Sequence, residues 1–100
     1  MVDLSRIEGF QWDDGNARKS IEKHDVSQGE AEQVFFNDPL LMVEDINHSV
    51  EERRWHALGR TEAGRLLHIT FTLRGGDRLI RVISARTMHR KERTRYEQES

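Results

Sequence analysis

The chain has no cysteine. That one absence excludes a disulfide framework, a thiolate metal site and a cysteine nucleophile, and it suits a reducing cytosol. No apolar run approaches the roughly 20 residues of a membrane span. The opening MVDLSRIEGF lacks the basic and apolar regions of an export signal, so a soluble, cytoplasmic protein with no membrane partner is expected. There is no glycine-rich phosphate loop and no nucleophilic-serine motif. His56, His68 and His89 show no metal-ligand spacing, so neither a metal nor a cofactor is expected. Internal repeats, low-complexity stretches and linkers are also missing. With 100 residues, the chain is expected to form a single domain over 1–100.

Positive charge is scarce too, since the formal net charge is −2. Nonspecific nucleic-acid binders usually carry a positive excess. The charge is uneven, however. Residues 1–77 hold 9 Lys/Arg against 15 Asp/Glu, whereas residues 78–100 hold 7 against 3. A polyanion would therefore have to meet a local patch near the C-terminus.

What is present has a clear pattern. WDDGNARKSIEKH predicts a first helix, capped by Asp13 or Asp14, with Ala17, Ile21 and His24 on one face. SQGEAEQVFF predicts a second. Its Ser27 and Glu30 have the spacing of a capping box, and Asp38-Pro39 stops it. From Leu40 the period shortens. LLMVE is a short strand and DINHS a turn in which His48 organises the approach to ERRWHALGR. In that strand Trp55 and Ala57 face the core while Arg54 and His56 face away. TEAG turns into RLLHITFTLR, where Leu67, Ile69, Phe71 and Leu73 alternate with His68, Thr70 and Thr72. GGD makes a second hairpin, RLIRVISA the last strand, and residues 88–97 a closing helix. The expected fold is α+β: two N-terminal helices, an antiparallel sheet of three to four strands, and a C-terminal helix.

The segments FQWD, VS..EAEQVFFNDP, HSVEERRWHALGRTEAGRLLHITFT and RVISARTMHRKERTRYE fall in an order that resembles the BrnT-type toxins over roughly residues 10–97. The resemblance implies a RelE-like fold and a ribonuclease toxin of a type II toxin–antitoxin pair, which cleaves RNA without a metal and so inhibits translation and growth. It also implies a BrnA-like ribbon-helix-helix antitoxin, with DNA reached only through that partner. The sequence departs from the family pattern at Asn16, Ser20 and Asp25. Relatives carry lysine, asparagine and glycine there, the glycine being a left-handed helix cap.

Cleavage of this kind needs a base for the 2′-hydroxyl, cations for the phosphate and an acid for the leaving oxygen. Arg86, at a strand end before a helix, is the first candidate cation; its alternative is a partner for the last carboxylates. Glu52 and Arg54, on one face of one strand, form a candidate base–cation pair, or a surface ion pair. His24 is a candidate acid–base group, or a core histidine. Lys23, Arg60, Arg65 and Arg90 are candidate RNA contacts. Tyr96 joins them as a base-stacking or proton-donating group, or instead as a packing anchor. The rival to an active endoribonuclease is a toxin-fold binding module that has lost activity and acts as antitoxin partner and co-repressor.

Overall fold

The structure, a computed structural model, describes residues 2–48 and 51–99. The chain runs β1 (Gly9–Gln11), α1 (Asp14–His24), α2 (Gln28–Gln33), β2 (Leu41–Glu44), β3 (Trp55–Arg60), β4 (Leu66–Arg74), β5 (Leu79–Thr87) and α3 (Arg90–Glu99). Short 3-10 turns occupy Leu4–Arg6, Val34–Phe36 and Ile46–His48. The α+β class and the three helices agree with the sequence reading. The sheet differs: among the described residues it has five strands in the order β1-β5-β4-β3-β2, and β1 lies parallel to β5. Three residues are too few to show a period, so β1 leaves no sequence signal. Among the described residues no helix is long and apolar enough to cross a membrane.

Local chemistry accounts for the helix ends. Asp13 accepts the Asn16 backbone N–H at 2.7 Å and so caps α1. At the other end Asp25 adopts the left-handed conformation, φ 54° and ψ 40°, and forms the C-cap. Its N–H reaches the Ile21 carbonyl, and the Val26 N–H reaches that of Ser20, which turns Val26 into the core. In α2 the capping box forms as expected: Ser27 Oγ accepts the Glu30 N–H, and Glu30 Oε1 accepts the Ser27 N–H.

The main core lies on one face of the sheet. Trp55 and Ala57 of β3, Leu67, Ile69 and Phe71 of β4, and Ile80, Val82 and Ala85 of β5 pack there against Val26, Ala31, Val34 and Phe35. Phe71 sits edge-on to Phe35 at 5.2 Å and stacks on Trp55 at 5.9 Å. One expectation for this layer needs correcting. Ile21 is half-exposed, and its neighbour Ser20 is the buried residue of α1. The helix runs over β5, where a small side chain allows close approach.

A β-bulge sets the direction of the last strand. Thr70 pairs with Ser84 but Phe71 with Val82, so Ile83 is an extra residue. The bulge reverses the alternation, turning Ala85 into the core and Arg86 to the opposite face. On that opposite face α3 is held by a second apolar cluster of Leu58, Met88 and Tyr96, supported by Leu41 and Leu66. The Tyr96 hydroxyl donates to the Pro39 carbonyl at 2.6 Å. His68, Thr70 and Thr72 alternate with the core residues as the period requires, yet all three are buried, because this face is also covered.

Candidate active site: two cavities around one aspartate

The second face of the sheet carries a row of polar groups. His68 of β4 lies opposite Arg86 of β5 on one side and Leu58 of β3 on the other. Its ring is 4.7 Å from that of His56, tilted by 40°. Arg86 is gripped from α3 by both oxygens of Glu92, at 2.8 and 2.9 Å. The same carboxylate accepts the His89 N–H at 2.8 Å and so caps α3. Its Arg86 hydrogen bonds hold the Glu92 carboxyl down at about 2. His68 Nε2 is 3.7 Å from Glu92, beyond hydrogen-bond range, and its buried Nδ1 has no partner among the described residues. Burial, reinforced by the Arg86 charge, pushes the imidazole down to about 4, so it is neutral at pH 7. Val43, His56, Leu58, His68, Lys91, Glu92 and Arg95 line a groove of about 310 Å³ here.

A second, larger cavity of about 580 Å³ opens beside Asn47, His48, Glu51, Glu52 and Arg54. Asp45 is bonded to one lining residue of each space. Its Oδ2 lies 2.9 Å from His48 Nδ1, on the large cavity, and 3.0 Å from His56 Nε2, on the groove. Its Oδ1 accepts the His48 backbone N–H at 3.3 Å. Burial works to raise the Asp45 carboxyl, but the His48 hydrogen bond and the charges of His48 and His56 outweigh it and hold it below the ordinary aspartate value. The other nitrogen of His56 meets Thr70 Oγ1 at 3.0 Å. The His48 side chain is 69% exposed, so its ring reaches the cavity while its rear nitrogen is anchored.

The structure brings some of the sequence candidates together and separates others. Glu52 and Arg54 share the large cavity, but not as expected: β3 begins at Trp55, so both lie in the segment that leads into it. Glu52 pairs with Arg74 at 2.7 Å instead of forming the anticipated pair with Arg54. The distant hairpin turn of β4 brings that arginine within reach, which no local spacing reveals. Arg86 stands on the polar face, engaged by Glu92. His24 and Lys23 end α1 and line neither cavity. Arg65 is taken up by Glu30 at 2.6 Å and by the Asp25 carbonyl at 2.9 Å. Arg60 and Arg90 are exposed. Tyr96 is 3% exposed with its hydroxyl engaged, so it anchors α3 and offers no face to a ligand. Sequence reasoning missed Asp45 as a hub, and His48 and His56 as its partners. The available signal was an aspartate three residues ahead of a histidine at a turn. Among the described residues no group of three or more metal-ligating side chains is arranged to hold a metal ion.

Residues 12–92 match the family described as the ribonuclease toxin, BrnT, of type II toxin–antitoxin systems. Among solved structures, the fold is similar to the 1.1 Å crystal structure of the Brucella abortus ribonuclease toxin BrnT. The TM-score is 0.61 and the identity 18%, over 82% of this chain and 97% of that one, a likeness of fold. A comparison with curated protein sequences gives no match. The matched span contains α1, α2, four of the five strands, both cavities except for Arg95, and the Glu92 that clamps Arg86. The chain belongs to the BrnT family of ribonuclease toxins of type II toxin–antitoxin systems.

Proposed function

We propose that this protein is an endoribonuclease that cuts RNA without a metal in the cavity of His48, Glu52 and Arg54. The observation that carries the reading is the meeting, in one open space, of an anchored imidazole, a carboxylate and a guanidinium. Neutral His48 takes the proton of a 2′-hydroxyl through Nε2. The freed oxygen attacks the adjacent phosphorus, and the bond from phosphorus to the 5′-oxygen breaks. The imidazolium, stabilised by Asp45, returns the proton to that leaving oxygen. The products are a 2′,3′-cyclic phosphate and a 5′-hydroxyl. Arg54 faces the charge that builds on the phosphate, and Glu52 holds Arg74 at the cavity rim. Lys91 and Arg95 on the neighbouring groove serve as phosphate contacts along the strand, with Arg60, Arg90 and Lys23 as further candidates.

The wider reading keeps the biology that the resemblance implied: a cytoplasmic toxin related to the RelE-type nucleases, which stops translation and growth. A BrnA-like ribbon-helix-helix antitoxin neutralises it and links it to DNA. One observation favours the rival, a binding module without activity. Arg86 and Arg65, two of the proposed cations, are already neutralised by Glu92 and Glu30. Incubation of the purified protein with single-stranded RNA in excess EDTA separates the two. Cleavage that falls at least 100-fold in His48→Ala and Arg54→Ala supports the nuclease. Intact RNA, or cleavage indifferent to both substitutions, refutes it.

A further inference from the structure

We propose that Asp45 is a positioning residue that sets the proton on both imidazoles it touches, and thereby makes His48 a base. The inference rests on the reading of His48 just given, and it follows from hydrogen-bond bookkeeping. A carboxylate only accepts. Each imidazole nitrogen that faces Asp45 Oδ2 must therefore carry hydrogen: Nδ1 of His48 at 2.9 Å and Nε2 of His56 at 3.0 Å. In a neutral ring the other nitrogen then holds the lone pair. For His48 that nitrogen is Nε2, on the exposed side of the ring. For His56 it is Nδ1, which accepts from the Thr70 hydroxyl. A free imidazole in water prefers hydrogen on Nε2, so the state of His48 is imposed by its surroundings.

The site is built to hold this arrangement. The Asp45 side chain is only 12% exposed, and its own N–H is bonded to the Arg54 carbonyl at 2.8 Å. The aspartate is thus tied to the backbone beside the proposed cation. Among the described residues, groups near the cluster include His68 and Thr70 from β4, Lys91, Glu92 and Arg95 across the groove, and Glu51, Glu52 and Arg54 across the large cavity. Among the described residues none of these is hydrogen-bonded to His48 Nδ1, which faces only the two Asp45 oxygens, Oδ2 at 2.9 Å and Oδ1 at 3.2 Å. One carboxylate therefore aims a lone pair into the large cavity and seals His56 against Thr70.

Asp45→Leu is a sharp test because it nearly preserves shape while removing both acceptor oxygens, including Oδ1, which lies 3.2 Å from His48 Nδ1. It also releases the His48 backbone N–H that Oδ1 accepts, so folding is checked alongside. With no acceptor facing Nδ1, the His48 ring returns to the Nε2–H form that imidazole prefers in water. The probe is nitrogen-15 histidine NMR at pH 7.5, combined with the RNA cleavage assay and a melting curve to confirm folding. The expected result is a change of His48 from hydrogen on Nδ1 to hydrogen on Nε2. Alongside it, kcat should fall about 100-fold while KM stays within about twofold. Unchanged tautomers overturn the proposal, and so does inversion that leaves kcat intact. If the wild-type protein does not cleave RNA, the nuclease reading fails, while an inverted His48 tautomer in Asp45→Leu still upholds the role of Asp45 in placing the protons.

Discussion

His68→Leu should flatten the acid side of the stability profile. Burial, and after it the charge of Arg86, lowers the His68 imidazole from 6.5 to about 4. The unfolded chain, free of that environment, takes up its proton first. The associated stability is therefore complete above pH 6.5 and is lost as the pH falls toward 4. Linkage over this window gives a loss of about 2 kcal/mol between pH 7.5 and 5.0. Glu92 does not confuse the measurement. The Arg86 hydrogen bonds lower its carboxyl from 4.5 to about 2, so its contribution disappears mainly below pH 4.5. Urea denaturation of both proteins at the two pH values, compared as a difference of differences, isolates the term. The wild type should lose about 2 kcal/mol more than His68→Leu on going to pH 5.0. Parallel losses in the two proteins would show that His68 is not held neutral by the fold, and the reasoning would fail.

Two further perturbations probe the scaffold that places the site. At Gly59 an added Cβ would lie 2.5 Å from Val34 Cγ1 and 3.3 Å from the Val34 carbonyl, so Gly59→Ala must push β3 away from the turn above it. A loss of roughly 1–3 kcal/mol is expected from overpacking, read as a lower urea midpoint; an unchanged midpoint would contradict the close approach. Tyr96→Phe removes only the hydroxyl that donates to Pro39, for an expected cost of about 1 kcal/mol. Faster amide hydrogen exchange confined to α3 and the segment around Pro39 would mark that bond as the clasp, and uniform change across the sheet would not.

Much of this fold was legible because its signals are local. The Ser27–Glu30 box, the Asp13 cap, the two hairpin turns and the alternation Leu67, Ile69, Phe71 each depend on residues within a few positions of one another. Long-range partners were not legible. Glu52 and Arg74 are 22 positions apart, and Asp45 and His56 are 11 apart, so nothing in either neighbourhood announces the pair. Ile21 misled because helical period names a face without saying which neighbour it meets. Arg86 was placed correctly at the end of a strand, yet simple alternation from Ile80 and Val82 would turn it inward. Only the extra residue Ile83 carries it to the polar face.

The bulge and the clamp on Arg86 belong to one device. With Arg86 turned outward, its charge would stand next to buried His68 with no counter-ion, an unfavourable place for a cation. Glu92 resolves this from α3, and it can do so because its other contact, the His89 N–H, already fixes it at the start of that helix. The helix is in turn held by Tyr96 and Met88 against Leu58, one residue from Gly59 and two from His56. The basic C-terminal segment is thus bound into the sheet through an acidic residue and an apolar cluster. Of its exposed cations, Lys91 and Arg95 line the groove. That division explains how a chain of net negative charge can present a local basic rim beside the neutral imidazole of His68: the arginine opposite it is already compensated, and the two cations on the groove stand one helix turn apart on α3.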